Sequence, residues 1–144
     1  SVPFPVFQAF DAPPADVSCV RRSRSNTPMQ ALTLLNEPLF LESARALALK
    51  TLREGGATDE ARLTFAFRRV LSRKPSLEEM NVLRDFLRQQ TARIAAGELK
   101  TNDLLDAATD KPLALPPGVS PQAYAAWTTV ARALLNLDEA ITKE

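Results

Sequence analysis

The chain has 144 residues, 45% of them apolar, with 18 Lys and Arg residues against 17 Asp and Glu residues. This length suits one compact domain, and the net charge of +1 argues against nucleic-acid or membrane binding driven by bulk charge. The absence of histidine and the single cysteine, Cys19, exclude Ser-His-Asp and Cys-His nucleophile systems, histidine-ligated zinc or haem, and an internal disulfide.

The first 27 residues predict an extended arm. Four prolines between Pro3 and Pro14 rule out a long helix. We expect the arm to pack along a helical body, because side chains such as Phe4 and Phe10 would otherwise form an adhesive apolar patch. The chain opens without methionine or a signal-peptide pattern, so we expect a piece of a longer protein. No apolar run approaches the ~20 residues that span a bilayer, so no membrane insertion is expected.

From Thr27 onwards, apolar residues recur at helical spacing. A short lead-in helix is predicted from Pro28 to about Leu35, with Thr27 as its N-cap. Pro38 interrupts this pattern but fits the first turn of a second helix capped by Asn36. The second helix is predicted to end at the Gly-Gly pair at positions 55–56.

Two further helices are predicted in the middle of the chain. One begins at Thr58 and runs to Pro75, so four basic residues between positions 68 and 74 crowd its last turn. The other begins with Ser76 as its cap and Glu79 three residues later, the pattern of a capping box. It presents an apolar stripe and is predicted to end at Gly97.

The last helix follows a loop at 98–119 that has room for one or two helical turns across 103–108. Ser120 and Pro121 repeat the cap-plus-proline start, and the apolar pattern predicts a helix through Ile141. The predicted fold is an all-α bundle of four main helices, with residues 28–144 as one compact unit. Its core is expected to combine residues of three helices: Phe67, Val70, Leu83, Leu87, Trp127 and Leu134.

A basic segment just before the lead-in helix is one candidate site. Arginine side chains at a helix N-terminus, where backbone N–H groups are free, are suited to bind sulfate, phosphate or carboxylate. The residues of this candidate anion site are Arg21, Arg22, Arg24, Asn26 and Thr27. The alternative, which we favour, is that the arginines pair with acids such as Glu37, Glu42, Asp138 or Glu139 and fix the arm to the bundle.

The acidic pair Asp138 and Glu139 is the second candidate. Near a helix C-terminus these carboxylates oppose the helix dipole, so a cation should compensate them. Adjacent helical residues point about 100° apart, which argues against a shared catalytic site. We therefore predict that at least one of Arg21, Arg22 and Arg24 pairs with one of these acids.

Several segments follow one another along the chain in a recognisable order: Phe10-Asp11-Ala12-Pro13, Arg21 to Leu32, Leu34-Leu35-Asn36-Glu37-Pro38, Leu71-Ser72-Arg73-Lys74-Pro75, and Ala126-Trp127 through Leu134-Leu135-Asn136-Leu137-Asp138-Glu139. Together these segments resemble the planctomycete "PSD-one" family, a domain of unknown function (DUF1553). The family has no catalytic residues to carry over. Its characteristic residues here describe a shared structural motif, which includes Asn36, Pro38, Asn136, Asp138 and Glu139.

The resemblance implies that the chain is the C-terminal part of a longer exported protein, periplasmic or at the cell surface. The resemblance also implies that a c-type haem domain, which family members often carry near the N-terminus, lies elsewhere in the parent, so no cofactor is expected in this part. The leading hypothesis is a non-catalytic helical module that docks onto other domains of the parent. One alternative is a module that binds phosphate or anionic glycans through the arginine segment at the helix N-terminus. Another alternative is that the chain forms part of a hydrolase whose active site spans several domains. In that case Asn26, Asn136, Asp138 or Glu139 would face an open cleft.

Overall fold

A computed structural model describes residues 37–105 and 114–141, and every regular element in these ranges is a helix. The all-α class is therefore confirmed. The predicted arm, the lead-in helix and Cys19 lie outside the described residues. The helices are α1 Glu37–Glu54, α2 Asp59–Leu71, α3 Leu77–Ala95, α4 Thr101–Leu105, α5 Pro121–Leu135 and α6 Asp138–Ile141. The four long ones, α1, α2, α3 and α5, match the four main helices of the prediction.

Side-chain caps set the starts of three helices where the sequence predicted them. The hydroxyl oxygens of Thr58, Ser76 and Ser120 each accept the backbone N–H three residues on. At α3 the capping box is complete, because the Glu79 carboxylate also accepts the Ser76 N–H at 2.7 Å. These contacts satisfy N–H groups that a helix start leaves without partners.

The C-terminus of α2 differs from the prediction. The helix ends at Leu71, not at Pro75, because Ser72 adopts the left-handed conformation with φ of 61° and its N–H donates to the Arg68 carbonyl. This cap turns the chain out of the helix. Arg73 therefore leaves the helix and lies in the turn between α2 and α3.

The predicted C-terminal end of the last helix is also wrong. It breaks after Leu135, because the Asn136 N–H bonds back to carbonyls three and four residues earlier and the Leu137 N–H bonds back three residues, which tightens and closes the last turn. Asp138 and Glu139 consequently begin α6 instead of ending a long helix. Ile141 is 48% exposed and does not join the core.

Helix α5 lies at the centre of the bundle and contacts α1, α2, α3, α4 and α6. The predicted core is confirmed: Phe67, Leu83, Leu87, Trp127 and Leu134 are buried in one cluster, with Val70 partly buried against it. The hydroxyl of buried Tyr124 donates to the Arg45 carbonyl at 3.1 Å, which ties α5 to α1. None of the described helices is long and apolar enough to cross a membrane.

Candidate functional site

The densest group of charged side chains in the described residues surrounds Arg73. Its Nε and Nη2 donate to Oε1 and Oε2 of Glu139, both at 2.8 Å. Its Nη1 and Nη2 donate to Oε2 and Oε1 of Glu79, at 2.9 and 2.7 Å. One guanidinium thus bonds two carboxylates, each in the two-pronged arrangement that the planar arginine fork favours. We call Arg73, Glu79 and Glu139 the Arg73 junction.

Local structure places each member of the junction. Arg73 lies outside α2 because of the Ser72 cap, and Glu79 is held in the first turn of α3 by its bond to the Ser76 N–H. Glu139 lies in α6, which begins after the break that follows α5. The guanidinium carbon of Arg73 also lies 4.9 Å from the ring centre of buried Phe67, within cation–π range. The junction therefore joins the α2–α3 turn, α6 and the edge of the core.

The electrostatics of the junction favour ionised carboxylates. Hydrogen bonds from Arg73 lower the pKa of Glu79 and of Glu139 below the ordinary value of 4.5, and the two acids in turn raise the pKa of Arg73. A general acid at neutral pH needs a raised carboxyl pKa, which is the opposite shift. The arrangement is suited to holding helices together and poorly suited to donating a proton at neutral pH. In the described ranges, no group of three or more His, Cys, Asp or Glu residues could hold a metal ion.

The residues singled out in the sequence separate into two sets. Asn136 caps α5, Pro38 is in the first turn of α1, Asp138 begins α6, and Glu139 is bonded to Arg73. The anion-site residues Arg21, Arg22, Arg24, Asn26 and Thr27, and the cap Asn36, lie outside the described residues. Their pairing with Asp138 or Glu139 stays a prediction.

Sequence reasoning missed Arg73 as the partner of Glu139. Both residues belong to segments that carry the family resemblance, yet 66 positions separate them and no helical spacing relates them. Arg73 was assigned to the last turn of α2, where the helix dipole alone explained its charge.

A second surface lies along the outer side of α2. A groove of about 470 Å³ is lined by Gly55, Ala61, Thr64, Phe65, Arg68 and Arg69. Phe65 is half-buried, whereas Arg68 and Arg69 are exposed. Neither guanidinium has a hydrogen-bond or ion-pair partner among the residues described. We call this surface the α2 groove.

The family described as PSD1, a protein of unknown function (DUF1553), matches residues 1–87. This range contains α1, α2, the α2 groove and two members of the Arg73 junction, but not Glu139. No curated protein and no solved structure matches the chain.

Proposed function

The chain belongs to the PSD1 family (DUF1553), and from this premise we propose that it is a non-catalytic helical docking module of a larger protein. Its partners are other domains of that protein. The c-type haem expected in such proteins belongs to those domains, since this chain has no histidine to ligate the iron. The proposal places the parent outside the cytoplasm, in the periplasm or at the cell surface.

The observation that carries this proposal is the Arg73 junction. Glu139 was one of the acids on which a shared hydrolase site would depend, and both its oxygens are bonded to Arg73. A carboxylate with a lowered pKa is ionised at neutral pH and cannot act as a general acid, and the hydrogen bonds from Arg73 already occupy both oxygens of Glu139. The bonding of Glu139 therefore favours a structural module over a domain that contributes residues to a hydrolase active site.

The test is to unfold this domain by mutation within the intact parent protein and to measure the stability of the other domains. Trp127→Ala removes a 4% exposed core residue, whereas Leu77→Ala changes a 79% exposed residue and serves as the control. If the module docks, Trp127→Ala lowers the melting temperature and protease resistance of the other domains, and Leu77→Ala leaves both unchanged. If the other domains keep their stability in the Trp127 variant, the docking proposal is wrong.

A further inference from the structure

The outer side of α2 carries an aromatic residue where a bundle helix usually carries polar ones. Buried Leu63, Ala66 and Phe67 define the core side of this helix. At about 100° per residue, Phe65 lies on the opposite side, away from the core. A half-buried phenylalanine on that side is an apolar contact point at the surface. The core does not account for it.

Two cations flank this aromatic residue. Arg68 and Arg69 follow Phe65 by three and four positions, so all three share one face of the helix. Other arginines around α2 are occupied: Arg62 donates to the Gly56 carbonyl, and Arg84 pairs with Glu60. Arg68 and Arg69, in contrast, have no partner within the described ranges. Their position in the last turn is favourable for the helix dipole, but the dipole does not occupy their N–H groups.

We propose that the α2 groove binds a carboxylate-bearing segment of another domain of the same protein. An apolar side chain of that segment packs on Phe65, and an Asp or Glu beside it bonds Arg68 or Arg69. Charge complementarity selects the acidic partner, since the arginine fork bonds carboxylates with two N–H groups. Aromatic residues and arginine are also the types enriched at protein interfaces. This inference rests on the proposed docking function and names its surface.

The size of the groove agrees with a short segment. The groove is open to solvent, and its volume of about 470 Å³ leaves room for a few side chains laid along the surface of α2. Gly55 lies at the end of the groove next to the α1–α2 turn, where a Cβ would collide with the Thr51 carbonyl oxygen and approach Arg62. The turn therefore requires glycine at this position.

Photo-crosslinking in the intact parent protein tests the inference. The crosslinker p-benzoylphenylalanine replaces exposed Ala61 in the groove or, as a control, exposed Gln89 on α3. From position 61 we expect one main crosslink, mapped by mass spectrometry to an Asp- or Glu-containing segment outside this chain. From position 89 we expect none. Crosslinks from position 61 to residues 1–36 of the same chain, or no crosslink, would overturn the inference.

Charge reversal then tests the role of the arginines. Arg68→Glu combined with Arg69→Glu should lower the crosslink yield from position 61 at least about tenfold, because it replaces attraction by repulsion. Arg88→Glu, on the exposed side of α3, makes the same kind of charge change away from the groove and should leave the yield within about twofold. An unchanged crosslink yield in the double variant would overturn the proposal that the partner segment is acidic. If Trp127→Ala still destabilises the other domains in that case, docking stands and uses another surface.

Discussion

Arg73 and Glu139 are 66 positions apart in the chain, yet two N–H groups of Arg73 bond the two carboxylate oxygens of Glu139 at 2.8 Å each. The pair holds α6 against the turn between α2 and α3. The same guanidinium bonds Glu79, whose side chain is 20% exposed, compared with 50% for Glu139. Water and salt weaken exposed ion pairs, so the partial exposure of these side chains limits how much each pair stabilises the fold.

A double-mutant cycle measures the coupling across the junction. Combining Arg73→Gln with Glu139→Gln should give a coupling free energy of about 0.5–1 kcal/mol, because the pair is two-pronged but partly exposed. The matched control is Arg88 with Asp85, a pair with 78% and 57% exposed side chains, for which we expect about 0–0.5 kcal/mol. The measurement is urea unfolding of the four proteins of each cycle. Equal coupling in the two cycles would contradict the role of the junction.

The junction also predicts a dependence of stability on pH. In the folded protein, hydrogen bonds from Arg73 lower the pKa of Glu79 and of Glu139 below the ordinary value of 4.5. The resulting stabilisation is complete above that value and is lost as the pH falls through the lower, folded-state pKa values. Arg73→Gln should therefore lower the melting temperature near pH 7, and the difference from the wild type should shrink towards pH 3. A difference that grows on acidification would contradict the assignment.

Truncation in the core should be severe. Trp127 is 4% exposed in the central helix, so Trp127→Ala should lower the free energy of unfolding by about 3–5 kcal/mol. Leu77 is 79% exposed, and Leu77→Ala should stay within about 0.5 kcal/mol of the wild type. Denaturant unfolding of both variants checks the prediction. A nearly unchanged midpoint for Trp127→Ala would show that this face of α5 is not in the core.

Two buried threonines differ in whether their hydroxyl groups have a hydrogen-bond partner, so the same substitution can be compared at both. The Thr51 hydroxyl is buried with no partner among the described residues, whereas the Thr128 hydroxyl donates to the Tyr124 carbonyl at 2.9 Å. Replacing an unpaired buried hydroxyl by a methyl group removes a desolvation cost, so Thr51→Val should be neutral or stabilise by about 1 kcal/mol. Thr128→Val should destabilise by about 1 kcal/mol. The opposite order of melting temperatures would contradict the hydrogen-bond assignment.

The predicted pairing of the arm with α6 has its own test. Because both oxygens of Glu139 are bonded to Arg73, Asp138 is the acid to combine with the arginine segment. A cycle of Arg22→Gln with Asp138→Asn, repeated for Arg21 and Arg24, should give coupling of at most ~1 kcal/mol for an exposed pair and more for a buried one. Zero coupling in every combination, with sulfate binding that the arginine variants lose, would favour the anion site.

The starts of the helices were predictable from the sequence because their signals are local. Ser76 and Glu79 are three residues apart, and Ser120 directly precedes a proline, so a short segment contains all the information. The ends were less predictable. Ser72 stops α2 in a left-handed conformation that glycine favours, and Asn136 ends α5 through backbone bonds that leave no mark in the apolar pattern.

The candidate site was predictable only in part, because its contacts are not local. The acidic member Glu139 was recognised from its segment, but its partner Arg73 depends on how the α2–α3 turn packs beside α6. Phe65 carries no signal of its own in the sequence, and only the positions of buried Leu63 and Phe67 place it on the outer side of α2. Pairings between distant segments require the packed structure.

Isothermal titration of this chain, produced separately, against the remainder of the parent protein tests the docking proposal most directly. We predict saturable binding of one copy of this chain to each copy of the remainder. Arg68→Glu combined with Arg69→Glu should weaken the affinity at least about tenfold, whereas Arg88→Glu should leave it unchanged. Binding should also weaken as salt is added, since charged groups at the interface are screened. No binding between the two folded parts would contradict the docking proposal.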